Sequence, residues 1–344
     1  MAAAPAHRDR LGLELTAANG EAARAFDDTV WAYVGFSREP GLPLKRALQA
    51  DPAMPMALCL QGYFLHLMGL PALAAKARRA YEFLLKIRTT TSREKSHIAA
   101  LGAWCEGELE RVCAILDGVL AEHPRDFLAL KLVNYLYFYL GDANNVRDGP
   151  ARALGAWDEK TPGYGHLLAL HAFGLEESGD YAAAERAGRR ATEINPADPW
   201  AVHSVAHVME MQDRAAEGVR WIESLAPHFE PANFFRYHLW WHLALMNWDQ
   251  ERYDDALQLY DTRVWGEGSS ENLSLCNDVS LLAPIRKDLR KVGGSHAQRD
   301  LFSLILLDSA LKCGRRELAR EVLAECAVLR AQSPVYRRYR EALA

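Results

Sequence analysis

The sequence predicts an all-α protein built as a solenoid of stacked helix pairs, and three observations carry that expectation. Pro52, Pro124 and Pro196 recur at a spacing of 72 residues, inside the related stretches RALQADPAMPMAL (46–58), AEHPRDFLAL (121–130) and RATEINPADPWAV (190–202). Seventy-two is close to two helix-pair repeats of about 34 residues with small insertions. Strand signals are almost absent, because no stretch alternates apolar and polar residues with β-branched enrichment.

The pairs follow in order. Residues 55–87 give one, with Gly62, Gly69 and Ala80. Residues 93–124 give the next, with Ala100, Gly107 and Pro124, and residues 127–158 turn at Gly141-Asp142. The clearest runs from Gly165 to Asp198. Its first helix is expected over Leu167–Ser178 and breaks at Gly179-Asp180. Its second is Tyr181–Ile194, stopped at Asn195-Pro196 because proline lacks the donor and clashes in a helix interior. Ala172, Ala184, Gly188 and Ala191 fall where two helices must approach closely, and Tyr181 fills the gap beside the turn. Weaker pairs lie at 237–264 and 302–327. Two stretches break the pattern. Residues 143–163 (NNVRDGP, EKTPGYG) read as a loop-rich insertion, and residues 264–300 (VWGEGSSENLSLCND, VGGSHAQRD) as a second one before a C-terminal helix pair at 301–344. The expectation is one solenoid domain over residues 1–344, with its clearest repeats at 165–261.

Composition narrows the function classes. The chain has 344 residues, 50% hydrophobic and 25% charged, which is an ordinary globular composition and not a disordered one. The net charge of −5 argues against a broad nucleic-acid surface, since phosphate binding wants a basic excess. No signal-peptide core follows the first ten residues, and no apolar run approaches a membrane span. The six cysteines form no CxxC pair and read as reduced and buried, which fits the cytoplasm. There is no GxGxxG, P-loop or GxSxG, so a dinucleotide or Walker-type site is not expected.

The small–large–small positions, the central glycine turn and the proline between units look like the tetratricopeptide repeat. That resemblance implies a right-handed α-solenoid whose first helices line the concave face at positions 2, 5, 9 and 12. Numbered from Gly165, His166 is position 2 and Glu176 and Glu177 are positions 12 and 13. Numbered from Pro199, Trp200, His203, His207 and Glu210 are positions 2, 5, 9 and 12. In the unit from Tyr237, His238 is position 2 and His242 position 6, and His66 falls at position 12 of the unit from Pro55.

His203, His207 and Glu210 share one helix face at i, i+4 and i+7, and His238 and His242 repeat the i, i+4 pairing one unit later. Three readings follow. One is a metal site on His203, His207 and His238, taking a divalent ion through imidazole nitrogen and carboxylate oxygen. Another is a polar pocket for a small ligand, or an acid–base site on His203, His207, Glu210, His238 and His242. The last is imidazoles packed between helices and satisfied by neighbouring carboxylates. Neither the zincin order nor the di-iron Glu-x-x-His order is present. Upstream units carry Lys131, Tyr135 and Phe138, or Cys59, Tyr63 and His66, at the equivalents of His203, His207 and Glu210, so the histidine pair is not a requirement of the fold. Tyr63, Tyr135, Trp200 and Trp241 add aromatic walls. Asp278, His296 and Asp300 are further ligand-binding candidates, where a carboxylate would orient a groove imidazole.

The stretch from His166 to Asp261 resembles the tetratricopeptide repeat protein 38 family, through HAFGLEESGDYAAAERAGRRATEINPADPWAVHSVAHVMEM and NFFRYHLWWHLALMNWDQERYDDALQLYD. The likeness extends more loosely to Asp278 and to His296-Ala-x-x-Asp300, where Gln298 stands in place of the family's phenylalanine. The resemblance implies a helical repeat fold and no settled activity. It places characteristic residues at His171, His203, His207, His238 and His242, with Glu176, Glu177 and Glu210. Together these features point to a binding module for a small molecule or a peptide in the concave groove. An enzyme using the His/Glu cluster, or a protein scaffold, are the alternatives. Nucleic acid and membrane are not expected as partners, and a homodimer through a terminal helix is compatible with the fold.

Overall fold

The computed structural model describes residues 7–87, 90–264, 306–329 and 334–343. It is an α-solenoid of helix pairs, as the sequence predicts. The helices are α1 (Gly20–Val34), α2 (Gly41–Ala50), α3 (Pro55–Leu67), α4 (Pro71–Leu84), α5 (Ser92–Glu106), α6 (Leu109–Glu122) and α7 (Phe127–Leu140). They continue as α8 (Ala143–Leu154), α9 (Tyr164–Glu177), α10 (Tyr181–Ile194), α11 (Pro199–Met211), α12 (Ala215–Phe229), α13 (Phe235–Asp249) and α14 (Tyr253–Leu259). The backbone groups into two compact units, Met1–Val208 with Pro227–Asn233, and Met209–Ala226 with Phe234–Ala344.

In the first unit each odd helix packs on the even helix that follows it, from α1 with α2 to α9 with α10, and α9 also packs back on α8. The turns repeat one local solution. Gly141 and Gly179 take left-handed φ of 73° and 82°, which ends the first helix without a Cβ penalty. Asp142 and Asp180 then cap the next helix by accepting from the Asn145 and Ala183 amides. At α5 the same task falls to a capping box of Thr91 and Glu94. Small residues let the layers close: a Cβ on Gly188 of α10 would stand 2.5 Å from Val205 of α11.

One expectation is corrected. The stretch 143–163 is not a loop-rich insertion, because its first half is α8, buried through Val146 and Ala153. Asn, Gly and Pro misled the reading. Pro150 lies inside the helix and cannot donate to the carbonyl of Val146, but the Asn134 side-chain amide of α7 donates to it instead, at 2.9 Å. The insertion expected at 264–300 lies, apart from Val264, outside the described residues.

The chain start is tied into this unit. His7–Arg8 pairs antiparallel with Glu14–Leu15, a two-residue ladder that the sequence did not announce. Behind it lies a buried polar network. Arg93 donates to Asp126 at 2.8 Å and to the Glu14 carbonyl at 2.9 Å, and His97 Nε2 lies 3.0 Å from Asp126. Glu94 accepts from the Thr16 amide and hydroxyl. α1 also packs against α7, with the Trp31 and Phe127 rings 6.1 Å apart. The loop after α1 meets the segment around 230–233: the Arg38 guanidinium donates to the carbonyls of Glu230, Pro231 and Ala232, and the Asn233 amide donates to the Phe36 carbonyl at 2.7 Å.

In the second unit α13 packs on α14, and the chain passes into a π-turn at Tyr260–Val264. Residues 306–312 are helical, Gly314 turns the chain at φ 70°, and helices Arg316–Leu329 and Pro334–Leu343 pack on each other. Cys59, Cys105 and Cys113 are free thiols. Among the described residues no helix is long and apolar enough to cross a membrane.

Candidate functional site

In the first unit the candidate side chains come from α9 and α11. Glu176 and Glu177 end α9, while His203 and His207 stand one turn apart on α11 with ring centroids at 4.1 Å. His207 Nδ1 lies 3.3 Å from Glu176 Oε2. Phe173 of α9 stacks on His203 at 5.6 Å and 28°, fixing that ring from behind. One ligand atom from each of Glu176, Glu177 and His207 falls within 4.8 Å of the others. The Glu177 carboxyl is raised above the usual carboxylate range, first by partial burial and then by the charge of Glu176 beside it.

The second unit repeats the same order of groups. His242 Nδ1 lies 2.7 Å from Glu210 Oε2, and His242 Nε2 lies 3.3 Å from His238 Nε2. Trp241 stacks flat on His238 at 5.1 Å and 11°. Each unit therefore holds a run of carboxylate, imidazole, imidazole. In both, position 12 of one repeat supplies the carboxylate and the next repeat supplies the imidazole it meets. A carboxylate on Nδ1 selects the tautomer with the proton there and turns Nε2 into a base or ligand. The sequence set Glu210 on one face with His203 and His207 and in one candidate site with His238 and His242; in the structure its carboxylate meets His242.

The remaining candidates fall elsewhere. His166 Nδ1 meets Asp198 Oδ2 at 2.6 Å. Burial pushes the Asp198 carboxyl up, but His166, its hydrogen bond and Lys131 outweigh burial and hold it low. His166 and Trp200, with Val34 of α1, Phe127, Lys131, Leu170 and Asp198, border a gap too narrow to admit a water molecule. Tyr63 is corrected from groove wall to core. It is fully buried, and its hydroxyl donates to the His97 carbonyl at 2.8 Å. α5 packs on α3, the helix that carries Tyr63. His66 stacks on Trp104 at 5.3 Å, with Nε2 3.5 Å from Cys105 Sγ. Tyr135 meets Tyr139, hydroxyl to hydroxyl at 2.8 Å. His171 is half-buried against α8, its imidazole pushed down by burial. Asp278, His296 and Asp300 lie outside the described residues.

Sequence reasoning passed over Asp126 and Asp198 as functional groups. They stand 72 residues apart, and each accepts from a histidine of the preceding first helix, His97 and His166. That shared repeat spacing was the available signal.

These features define a helical-repeat protein of tetratricopeptide type whose first helices carry paired imidazoles and carboxylates. No protein-family model matches the chain. Among solved structures it is similar to a human IFIT1 dimer with PPP-AAAA, at TM-score 0.57 and 15% identity, over 90% of this chain and 73% of that one. It is also similar to the APC/C hetero-tetramer Cut9–Hcn1, at TM-score 0.54 and 10% identity, over 94% of this chain and 55% of that one, so it spans about half of that second protein's length. At such identities the likeness is one of fold.

Proposed function

We propose that this protein binds a small molecule at its His/Glu/Trp surfaces, and that a divalent transition metal held by imidazole is what the molecule meets there. One observation carries the reading. The Nε2 atoms of His238 and His242 stand 3.3 Å apart, with Glu210 on the far nitrogen of His242. Two nitrogens about 2.0–2.1 Å from one tetrahedral ion would be separated by about that distance. The carboxylate on Nδ1 is the usual partner that orients such a ligand. Glu176, Glu177 and His207 offer a second donor set of mixed nitrogen and oxygen character. Membership of the tetratricopeptide repeat protein 38 family rests on the stretch from His166 to Asp261 and belongs to the same proposal. Peptide capture is the weaker use for such a surface, because groove lysines and arginines are what acidic tails need. The net charge of −5 weighs against nucleic acid. A metal-free acid–base enzyme on the same histidines is the second reading.

The test is a Zn²⁺ and Co²⁺ titration of the metal-stripped protein, followed by calorimetry and by cobalt absorption. Binding with a tetrahedral cobalt spectrum is expected. It should weaken by about 10–100-fold in Glu210→Ala, which removes only the orienting partner, and disappear in His238→Ala/His242→Ala. A parallel His203→Ala/His207→Ala variant shows by its stoichiometry which ion that pair holds. No binding by wild type would end the metal reading and leave the metal-free pocket, to be pursued by thermal-shift screening of small polar molecules.

A further inference from the structure

Three first helices of the first unit end in one way. At α5, α7 and α9 the chain folds back by a bond from Glu108 to the Ala103 carbonyl, from Asp142 to Tyr137 and from Asp180 to Leu175. The residue before each donor is glycine, with left-handed φ of 81° at Gly107, 73° at Gly141 and 82° at Gly179. α1 ends by the same bond, from the Ser37 amide to the Ala32 carbonyl at 2.8 Å, but its left-handed residue is Phe36, at φ 55°. A Cβ in that conformation crowds the following carbonyl, which is why glycine is the usual occupant. Gly35 stands one position too early and keeps φ −86°. The ring is therefore held at a conformational cost, and the reason lies in what it touches.

The Phe36 ring lies nearly parallel to Trp200 of α11, 5.9 Å away at 15°. Lys131 Nζ of α7 stands 4.2 Å from the centre of Phe36 and 4.9 Å from that of Trp200, so a cation that is 8% exposed is covered by two π faces. The Phe36 carbonyl accepts from the Asn233 amide at 2.7 Å, and Arg38 donates to the carbonyls of Glu230, Pro231 and Ala232. These bonds join one loop to another and the guanidinium is exposed, so they can part without melting a helix.

We propose that the loop after α1 is a clasp that shuts over Lys131 and Trp200 and opens as a unit. Closed, the ammonium draws both rings onto itself and offsets the strain at Phe36. Open, Phe36 leaves its left-handed turn, the bonds to 230–233 part, and the Lys131 ammonium and one face of Trp200 become accessible. Glycine in place of Phe36 would form the turn freely but give up both ring contacts, which accounts for an aromatic residue beside a glycine. Trp200 packs in turn on Phe173 at 4.8 Å and on His203 at 5.2 Å, so the clasp reaches the α11 imidazoles through a single ring. It is a gate for the histidine surface and rests on the function proposed above for its use, but its opening does not.

The experiment is amide hydrogen exchange of the full chain, resolved to single residues by fragmentation mass spectrometry, beside brief acetylation with acetic anhydride to report access to Lys131. In wild type the Asn233 amide is expected to exchange at least about 100-fold faster than the slowest amides of α7 and α9, through local opening. In Phe36→Gly the Ser37 amide should keep its protection, because glycine suits the turn. Asn233 should lose about 10-fold, and Lys131 should be acetylated about 10-fold faster, with exposed Lys45 and Lys76 unchanged. Arg38→Ala alters only an exposed side chain and should release Asn233 and Lys131 in the same way. An Asn233 amide that in wild type exchanges as slowly as α7 and α9 overturns the clasp. So does a Phe36→Gly variant in which Asn233 and Lys131 stay as protected as before, or in which Ser37 loses protection with them, since the ring would then serve only the turn. No metal or ligand is added, so this result stands apart from that of the metal titration.

Discussion

Alanine in place of Asp126 is expected to cost the fold about 3–5 kcal/mol, the range for breaking a buried ion pair by removing one partner. Asp126 is 1% exposed and serves three groups at once. It accepts from Arg93 at 2.8 Å and pairs with His97 Nε2 at 3.0 Å, and its other oxygen caps α7 by accepting from the Ala129 amide at 3.0 Å. Without it Arg93 keeps a buried charge whose remaining acceptor is the Glu14 carbonyl. Urea denaturation of Asp126→Ala against wild type measures the loss, and a difference under about 1 kcal/mol would show that the network only fills space. Exchanging Arg93 and Asp126 together for apolar residues should cost less than the sum of the single changes, because neither charge is then stranded.

The pH dependence follows from the same contacts. Burial pushes the Asp126 carboxyl up, but His97 and Arg93 outweigh burial and hold it well below the usual range. A carboxyl depressed in the folded state contributes stability that is fully present above its unfolded value of about 4 and is lost as pH falls below it. Asp9 acts in the opposite sense. Burial pushes its carboxyl up to about 6, so the folded state takes that proton first and gains stability as pH falls from 6 towards 4. The denaturation midpoint should therefore hold or rise slightly down to about pH 4 and then drop, and Asp126→Ala should flatten the drop.

Gly174→Ala is expected to cost about 1–3 kcal/mol or more, although alanine is the better helix former. Gly174 lies inside α9 where that helix rests on α8. A Cβ there would strike the Arg147 backbone and stand 2.6 Å from the Val146 carbonyl. Backbone cannot rotate aside as a side chain can. That carbonyl is also the one left without its helical donor by Pro150 and held by Asn134, so displacing it would disturb a second contact. Gly118 in α6 is the control. It is exposed, a Cβ there would meet nothing within 4 Å, and Gly118→Ala should stabilise by about 0.5–1 kcal/mol. Thermal melts of the two variants should move in opposite directions, and a shared direction would mean that α8 and α9 are not packed as described.

Much of this was written locally. The 72-residue recurrence, the Gly141-Asp142 and Gly179-Asp180 turns and the proline stops each depend on a few adjacent residues. A left-handed φ, a capping carboxylate and a missing amide are properties of those residues alone, so helix pairing was legible before any coordinates. The i, i+4 spacing of His203 with His207 and of His238 with His242 was legible for the same reason, because 3.6 residues per turn places them on one face.

Tertiary structure decided which groups meet. A helical period says which face a side chain occupies, but not how far the next helix is staggered against it. That stagger carries Glu210 to His242, and Glu176 to His207. α8 survived Pro150 because Asn134, on a different helix, supplied the missing donor. At His166 and Trp200 the face read as groove also meets Val34 of α1, and nothing near those residues in the chain could announce a helix that lies more than a hundred positions earlier. Lys131 follows the same rule. Its register was plain from the repeats, but its chemistry came from Phe36, Trp200 and Asp198, which only folding brings around it. Local residue chemistry set the helices and their turns, and long-range packing chose the neighbours that give each ionisable group its properties.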